Sequence, residues 1–124
     1  QPASMAAVIA TLTELAKEDT VDLLIKQGTR LMQGMESVLK DANIQARVAG
    51  FPQIFHVGFG VDSDVTDYRS ALQADRERYI RFTEALHHHG VRALERGAWF
   101  LSTAHTDEVI DATIEAVSAV AKEI

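Results

Sequence analysis

The fold class this sequence predicts is α+β: a two-layer domain in which a small, mostly antiparallel sheet is covered on one side by helices. Three observations lead there. Apolar residues recur at helical spacing in long stretches toward both ends of the chain, and short alternating runs of strand length lie between them. No strand–helix–strand alternation is sustained enough for a large parallel sheet.

The elements follow in order. Pro2 suits the first turn of a helix, where its missing N–H is not needed. Met5, Val8, Ile9, Leu12 and Leu15 then recur at helical spacing to about Lys17, while Ala3, Ala6, Ala7 and Ala10 leave the other side small, through propensity alone or as a close-packing surface. Thr20 is the expected cap of a second helix whose stripe runs Val21, Leu24, Ile25, Gly28, Leu31, Met32, Met35, Val38 and Leu39. Gly28 inside that stripe predicts close approach of another backbone, and Asn43 predicts a left-handed cap. Ala46–Ala49 is a short strand, and Ile54–Phe59 alternates as a half-buried one, with Phe55, Val57 and Phe59 on one face and His56 on the other as a surface or satisfied histidine.

An acidic loop follows, with Asp62, Asp64 and Asp67. It lacks the glycine and distal glutamate of a calcium loop. The third long helix runs from about Tyr68, more firmly from Asp75, to His89, with Gly90 as its stop. His87, His88 and His89 are consecutive, so they point in different directions and do not face one metal ion. Val91–Leu94 is expected to be a strand, Glu95–Gly97 a turn, and Ala98–Ser102 its hairpin partner. After the polar turn Ser102–Thr106, the last helix is capped by Thr106, carries Asp107 and Glu108 in its first turn, and is expected to bury the stripe Val109, Ile110, Thr113, Ile114, Val117, Ala121 and Ile124.

The chain has 124 residues, enough for one domain with its own core, and its 47% hydrophobic and 24% charged residues are those of a soluble globular protein. A net charge of −6 argues against a nucleic-acid surface, and the one basic cluster, Arg76, Arg78 and Arg81, is diluted by Asp75, Glu77 and Glu84. No run is long enough to span a membrane and no signal peptide is visible; with no cysteine, a reducing, cytoplasmic setting is expected. A start at Gln1-Pro2 without methionine reads as a piece of a longer polypeptide. The residues alone reveal no phosphate loop, no metal spacing and no nucleophile elbow, and Lys17, Lys26, Lys40 and Lys122 lie on polar faces or helix ends, where a Schiff-base lysine is not expected.

Three stretches nevertheless carry a resemblance. Gln1-Pro2-Ala3-Ser4-Met5-Ala6-Ala7, Asp75 through Gly90-Val91 with Tyr79 and Phe82, and Phe100-Leu101-Ser102-Thr103-Ala104-His105-Thr106 stand in the order and spacing of the class III aminotransferases. These are pyridoxal-phosphate enzymes of fold type I, and the chain resembles especially their glutamate-1-semialdehyde aminomutase branch. The resemblance covers essentially the whole chain. It implies that residues 1–19 are the helix leading into the small domain and that 20–124 are that C-terminal small domain, with the large cofactor-binding domain and its lysine outside this chain.

The implied reaction is transamination between an amino acid and a keto or aldehyde acid, with pyridoxal 5'-phosphate as electron sink. A homodimer is also implied, and neither nucleic acid nor membrane is an expected partner. The small domain's expected share is to close one wall of the pocket and hold the substrate's acid group. Arg96 is the candidate for that carboxylate, since guanidinium geometry suits a bidentate clamp. Arg92 is the reserve, and Trp99 is either a pocket wall or core. The aminomutases usually read Phe-Glu-Ala-Gly-Phe where this chain has Arg96-Gly97-Ala98-Trp99-Phe100, so Gly97 stands in place of their glutamate. That departure favours an intermolecular aminotransferase over the aminomutase. A non-catalytic dimerisation or binding module is the remaining alternative.

Overall fold

The alternation of Ile54–Phe59 organises the molecule. The computed structural model describes residues 1–124 as five helices and three strands: α1 (Pro2–Leu15), α2 (Thr20–Asp41), β1 (Ala46–Phe51), β2 (Ile54–Phe59), α3 (Tyr68–Ala71), α4 (Arg76–His88), β3 (Ala98–Phe100) and α5 (Asp107–Val120). The sheet is antiparallel throughout, in the order β1-β2-β3. Its inner face sets Val48 opposite Val57 and Phe55 opposite Trp99, and α2, α4 and α5 cover that face with Leu31, Met35, Leu39, Phe82, Leu86, Ile110, Val117 and Val120. The two-layer α+β reading is therefore correct.

Several local expectations hold for the physical reasons that suggested them. Asn43 adopts φ 55° after α2, and the amides of Asn43 and Ile44 donate to the carbonyls of Lys40 and Leu39 at 3.0 and 2.9 Å. Gly90 closes α4 in the same way at φ 80°, with the amides of Gly90 and Val91 on the carbonyls of His87 and Leu86. These are the paired bonds that satisfy the last carbonyls of a helix. At Gly28 the close backbone is that of the β1–β2 turn: a Cβ there would lie 1.9 Å from the Pro52 carbonyl oxygen. Trp99 is core; it is 8% exposed, stacks on Phe55 at 6.0 Å between ring centroids, and donates its Nε1–H to the Tyr79 hydroxyl at 3.0 Å.

Other expectations are corrected. Val91–Leu94 is not a strand. The edge of β2 is taken by β3, and a groove of about 300 Å³ separates Val91–Leu94 from Ala98–Leu101. The only backbone hydrogen bond between Val91–Leu94 and the residues just after it is Gly97 N–H to the Leu94 carbonyl at 3.1 Å, which closes a turn. β3 is shorter than Ala98–Ser102, although the Leu101 amide still reaches the Gln53 carbonyl at 3.0 Å.

Of the two starts expected for the third long helix, Asp75 holds and Tyr68 does not, because Tyr68–Ala71 is a separate helix. The Asp75 amide donates to the Phe59 carbonyl at 2.8 Å instead of continuing a helix, and its side chain caps α4 by accepting from the Arg78 amide at 3.0 Å. Thr20 is not the cap of α2 but its first residue; Asp19 holds the cap position at φ 70°, and the Thr20 hydroxyl donates to the Glu14 carbonyl at 3.1 Å. In α1 no residue is buried, and the regular stripe Met5, Val8, Ile9, Leu12, Leu15 is uncovered.

The Gly28 contact generates a direct test. Gly28→Ala is expected to cost about 1–3 kcal/mol, the range for forcing extra atoms into a filled site. Denaturant unfolding measures it, and an unchanged midpoint would show that the β1–β2 turn yields freely.

Candidate functional site

The strand-to-helix unit around Ser102–Thr106 is braced rather than loose. His105 Nδ1 accepts from the Ser102 amide at 2.9 Å, and the Thr106 hydroxyl caps the Val109 amide at 3.4 Å. Asp107 accepts from the Gln27 side-chain amide at 2.5 Å, and Arg30 spans Asp107 and Asp111 at 3.5 and 2.5 Å, which ties α5 to α2. The hydrogen bond from Gln27, then the nearby Lys26 and Arg30 charges, hold the Asp107 carboxyl below its usual range. This brace fixes the chain that follows β3. The chain that precedes β3 is the turn holding Arg96.

Arg96 stands on the rim of a cleft of about 330 Å³ beside the outer part of β2, together with His56, Tyr68, Asp75, Arg76 and Glu95. The loop after β2 reaches over to form the far wall, since the capping box of Asp67 with Ser70 and the Asp75–Phe59 backbone bond hold α3 in place. No ion pair engages Arg96 or Arg76; the paired arginines are Arg30 and Arg47. An unpaired guanidinium at the mouth of a cleft keeps its fork of donors for a carboxylate or phosphate. Arg92 faces other grooves, beside Ala93 and Leu94, and does not share this cleft. The structure thus separates the candidate arginine from its reserve.

Gly97 is buried beside Arg96 with φ 88°, and a Cβ there would fall 2.4 Å from His56 Nε2 and 2.7 Å from the Val57 carbonyl oxygen. This backbone does not accommodate glutamate at position 97. Sequence reasoning missed the part played by His56, Arg76, Tyr68 and Asp75 in this cleft. The only available signal was that His56 sits on the polar face of an alternating strand. No group of three or more His, Cys, Asp or Glu side chains is placed to hold a metal ion, and no helix is long and apolar enough to cross a membrane.

No family model matches the chain. It is 37% identical over 117 residues to the glutamate-1-semialdehyde 2,1-aminomutase of Methanopyrus kandleri, which covers 93% of this chain and 27% of the relative. It is 34% identical over 125 residues to the enzyme of the same name from Desulfitobacterium hafniense, covering 99% and 29%. The chain is similar to a domain-sized part of the glutamate-1-semialdehyde aminomutases. It spans somewhat more than a quarter of the length of the curated relatives it matches. Among solved structures, the PLP internal aldimine form of the FumI protein of Sphingopyxis sp. MTA144 superposes with a TM-score of 0.77 at 23% identity, over 96% of this chain and 26% of that one. A transaminase with PLP bound gives 0.81 at 20% identity, over 99% and 27%. The fold is thus shared with about a quarter of each of these two chains.

Tyr79 lines the same cleft and yields a pH test. Burial pushes its phenol up from 10.0 to about 12, and the Trp99 N–H offsets this only in part. A raised phenol pKa means the folded form holds the proton more tightly than the unfolded one. The stability this contributes is complete below pH 10 and is lost as the pH rises through about 12. The urea midpoint is therefore expected to fall across that window, and Tyr79→Phe to flatten that part of the fall. A decline identical in the variant would remove Tyr79 as its source.

Proposed function

We propose that this chain is the small domain, residues 20–124, of a pyridoxal-phosphate-dependent class III aminotransferase, with residues 1–19 leading into it. In this reading the full-length enzyme moves an amino group from an amino acid to a keto or aldehyde acid. The observation that carries it is an unpaired arginine, Arg96, on the rim of a cleft in a fold shared over nearly its whole length with transaminases.

The residues of this chain do not by themselves hold pyridoxal phosphate. Lys17, Lys26, Lys40 and Lys122 are all exposed, and none lines the cleft. The cofactor and its lysine are accordingly assigned to the rest of the polypeptide, which is also the proposed cover for the bare apolar stripe of α1. What this chain contributes is a wall and a carboxylate clamp: Arg96 draws the acid group of the substrate to the rim, and Tyr68, Leu72 and Val65 give the cleft an apolar side that keeps water out. A cytoplasmic homodimer completes the proposal; the absence of cysteine suits a reducing compartment.

A second reading has specific support, because the relatives quoted are named aminomutases. The crowding at Gly97 weighs against it, since the position of their glutamate has no room for a side chain here. Supplying the semialdehyde with no second amino acceptor separates the two: turnover under those conditions would establish the isomerase.

For the proposed enzyme, Arg96→Ala is expected to raise KM for carboxylate-bearing donors by about tenfold to a hundredfold, the size of a lost charged hydrogen-bonded pair. Cofactor absorbance and turnover of amines lacking a carboxylate should stay near the parent's. Equal losses on both substrate classes would assign Arg96 a structural role only. Borohydride treatment of the full-length protein should attach the cofactor to a lysine other than the four in this chain.

A further inference from the structure

The Arg96 guanidinium makes no hydrogen bond or ion pair of its own, so its place in the cleft is set by its backbone. Three contacts hold that backbone. The Gly97 amide donates to the Leu94 carbonyl at 3.1 Å, and the Val57 amide donates to the Gly97 carbonyl at 2.9 Å. The third contact comes from a side chain: His56 Nε2 lies 3.0 Å from the Arg96 carbonyl oxygen. A carbonyl oxygen only accepts, so Nε2 carries the hydrogen and donates it. The same ring occupies the space that a Cβ at Gly97 would need, 2.4 Å from Nε2, and Gly97 keeps φ 88° beneath it. His56 pairs across the sheet with Ala98, whose small side chain leaves the ring free to lie over the turn.

We infer that His56 is a positioning residue for Arg96: its Nε2–H, hydrogen-bonded to the Arg96 carbonyl, holds the Leu94–Gly97 turn so that the guanidinium stands over the cleft. The inference rests on the proposed carboxylate clamp for its functional consequence, but the holding itself is a property of the turn. It differs from a packing role because it depends on one donor at one distance from the backbone. A side chain of similar size without that donor does not replace it.

Three variants of the full-length protein test it. His56→Phe keeps a ring and removes the donor, His56→Asn keeps an amide that is too short to reach, and His56→Gln places an amide N–H near the position of Nε2. With His56→Phe and His56→Asn, KM for a carboxylate-bearing amino donor is expected to rise about threefold to tenfold, as for one lost hydrogen bond. In the same variants kcat, and KM for an amine lacking a carboxylate, should hold. His56→Gln should stay within about twofold of the parent, well inside the effect of one such bond. Hydrogen exchange provides a readout that does not need activity: the amides of Val57 and Gly97 should exchange faster in His56→Phe and His56→Asn and at the parental rate in His56→Gln. Unchanged exchange in the first two variants, or no recovery in the third, overturns the positioning role. If exchange follows the expected pattern while Arg96→Ala shows no preference for carboxylates, His56 holds the turn and the clamp reading is the one that fails.

Discussion

The buried contact between Trp99 and its two neighbours is what the candidate site depends on. Its ring lies flat against Phe55 of the central strand, and its N–H reaches the Tyr79 hydroxyl on α4. One side chain thereby joins the edge strand to the middle of the sheet and to the helical layer. β3 is only three residues long and has little backbone pairing of its own. An edge strand that short is held in place mainly by its side chains, and the turn before it inherits whatever precision they provide. The Tyr79 phenol continues the chain of contact into an aromatic group with Phe59 and Phe82, at 5.2 and 5.8 Å between ring centroids. Through these rings the end of β2, the start of α4 and the strand after Arg96 form one rigid body.

What the sequence makes legible is local. Periodicity identified most of the buried stripes of α2, α4 and α5, although Val21 and Ile25 in α2 and Val109 in α5 are exposed, and it identified the alternating strand β2, because each pattern depends on residues within a few positions of one another. Asn43 and Gly90 announced their helix ends through the conformation they tolerate, and Gly28 announced a close contact through what it lacks. Val91–Leu94 was misread for the complementary reason. Four residues of strand-like composition do not become a strand without a free edge to pair with, and the edge of β2 is taken by Ala98–Phe100, which sets Trp99 opposite Phe55. The break between α3 and α4 carries no proline or glycine; Asp75 marks it locally as a cap, while the backbone bond to Phe59 that fixes it there is encoded by no local pattern. Likewise the stripe of α1 states which side is apolar but not whether anything covers it.

The site follows the same division. Arg96 is a candidate through a resemblance in which its turn precedes a recognisable strand. Its support from His56 was not, since 40 residues separate the two and histidine on an exposed strand face is unremarkable by itself. The absence of a side chain at position 97 is visible as a departure from the aminomutase pattern, and in the structure the space a side chain would need is filled by an imidazole and the Val57 carbonyl. A sequence comparison registers such a change as one glycine, while the structure shows it as a pair of positions, 56 and 97, that constrain each other.

The charges around the cleft have a consequence of their own. Arg76 and Arg96 stand on its margin with Asp75 and Glu95, two groups of each sign within a chain whose net charge is −6. Seen from beyond a screening length of about 8 Å at physiological salt, the cleft's own charges cancel. A rim balanced in this way exerts little long-range pull on simple anions or cations, and its charges act at contact range alone.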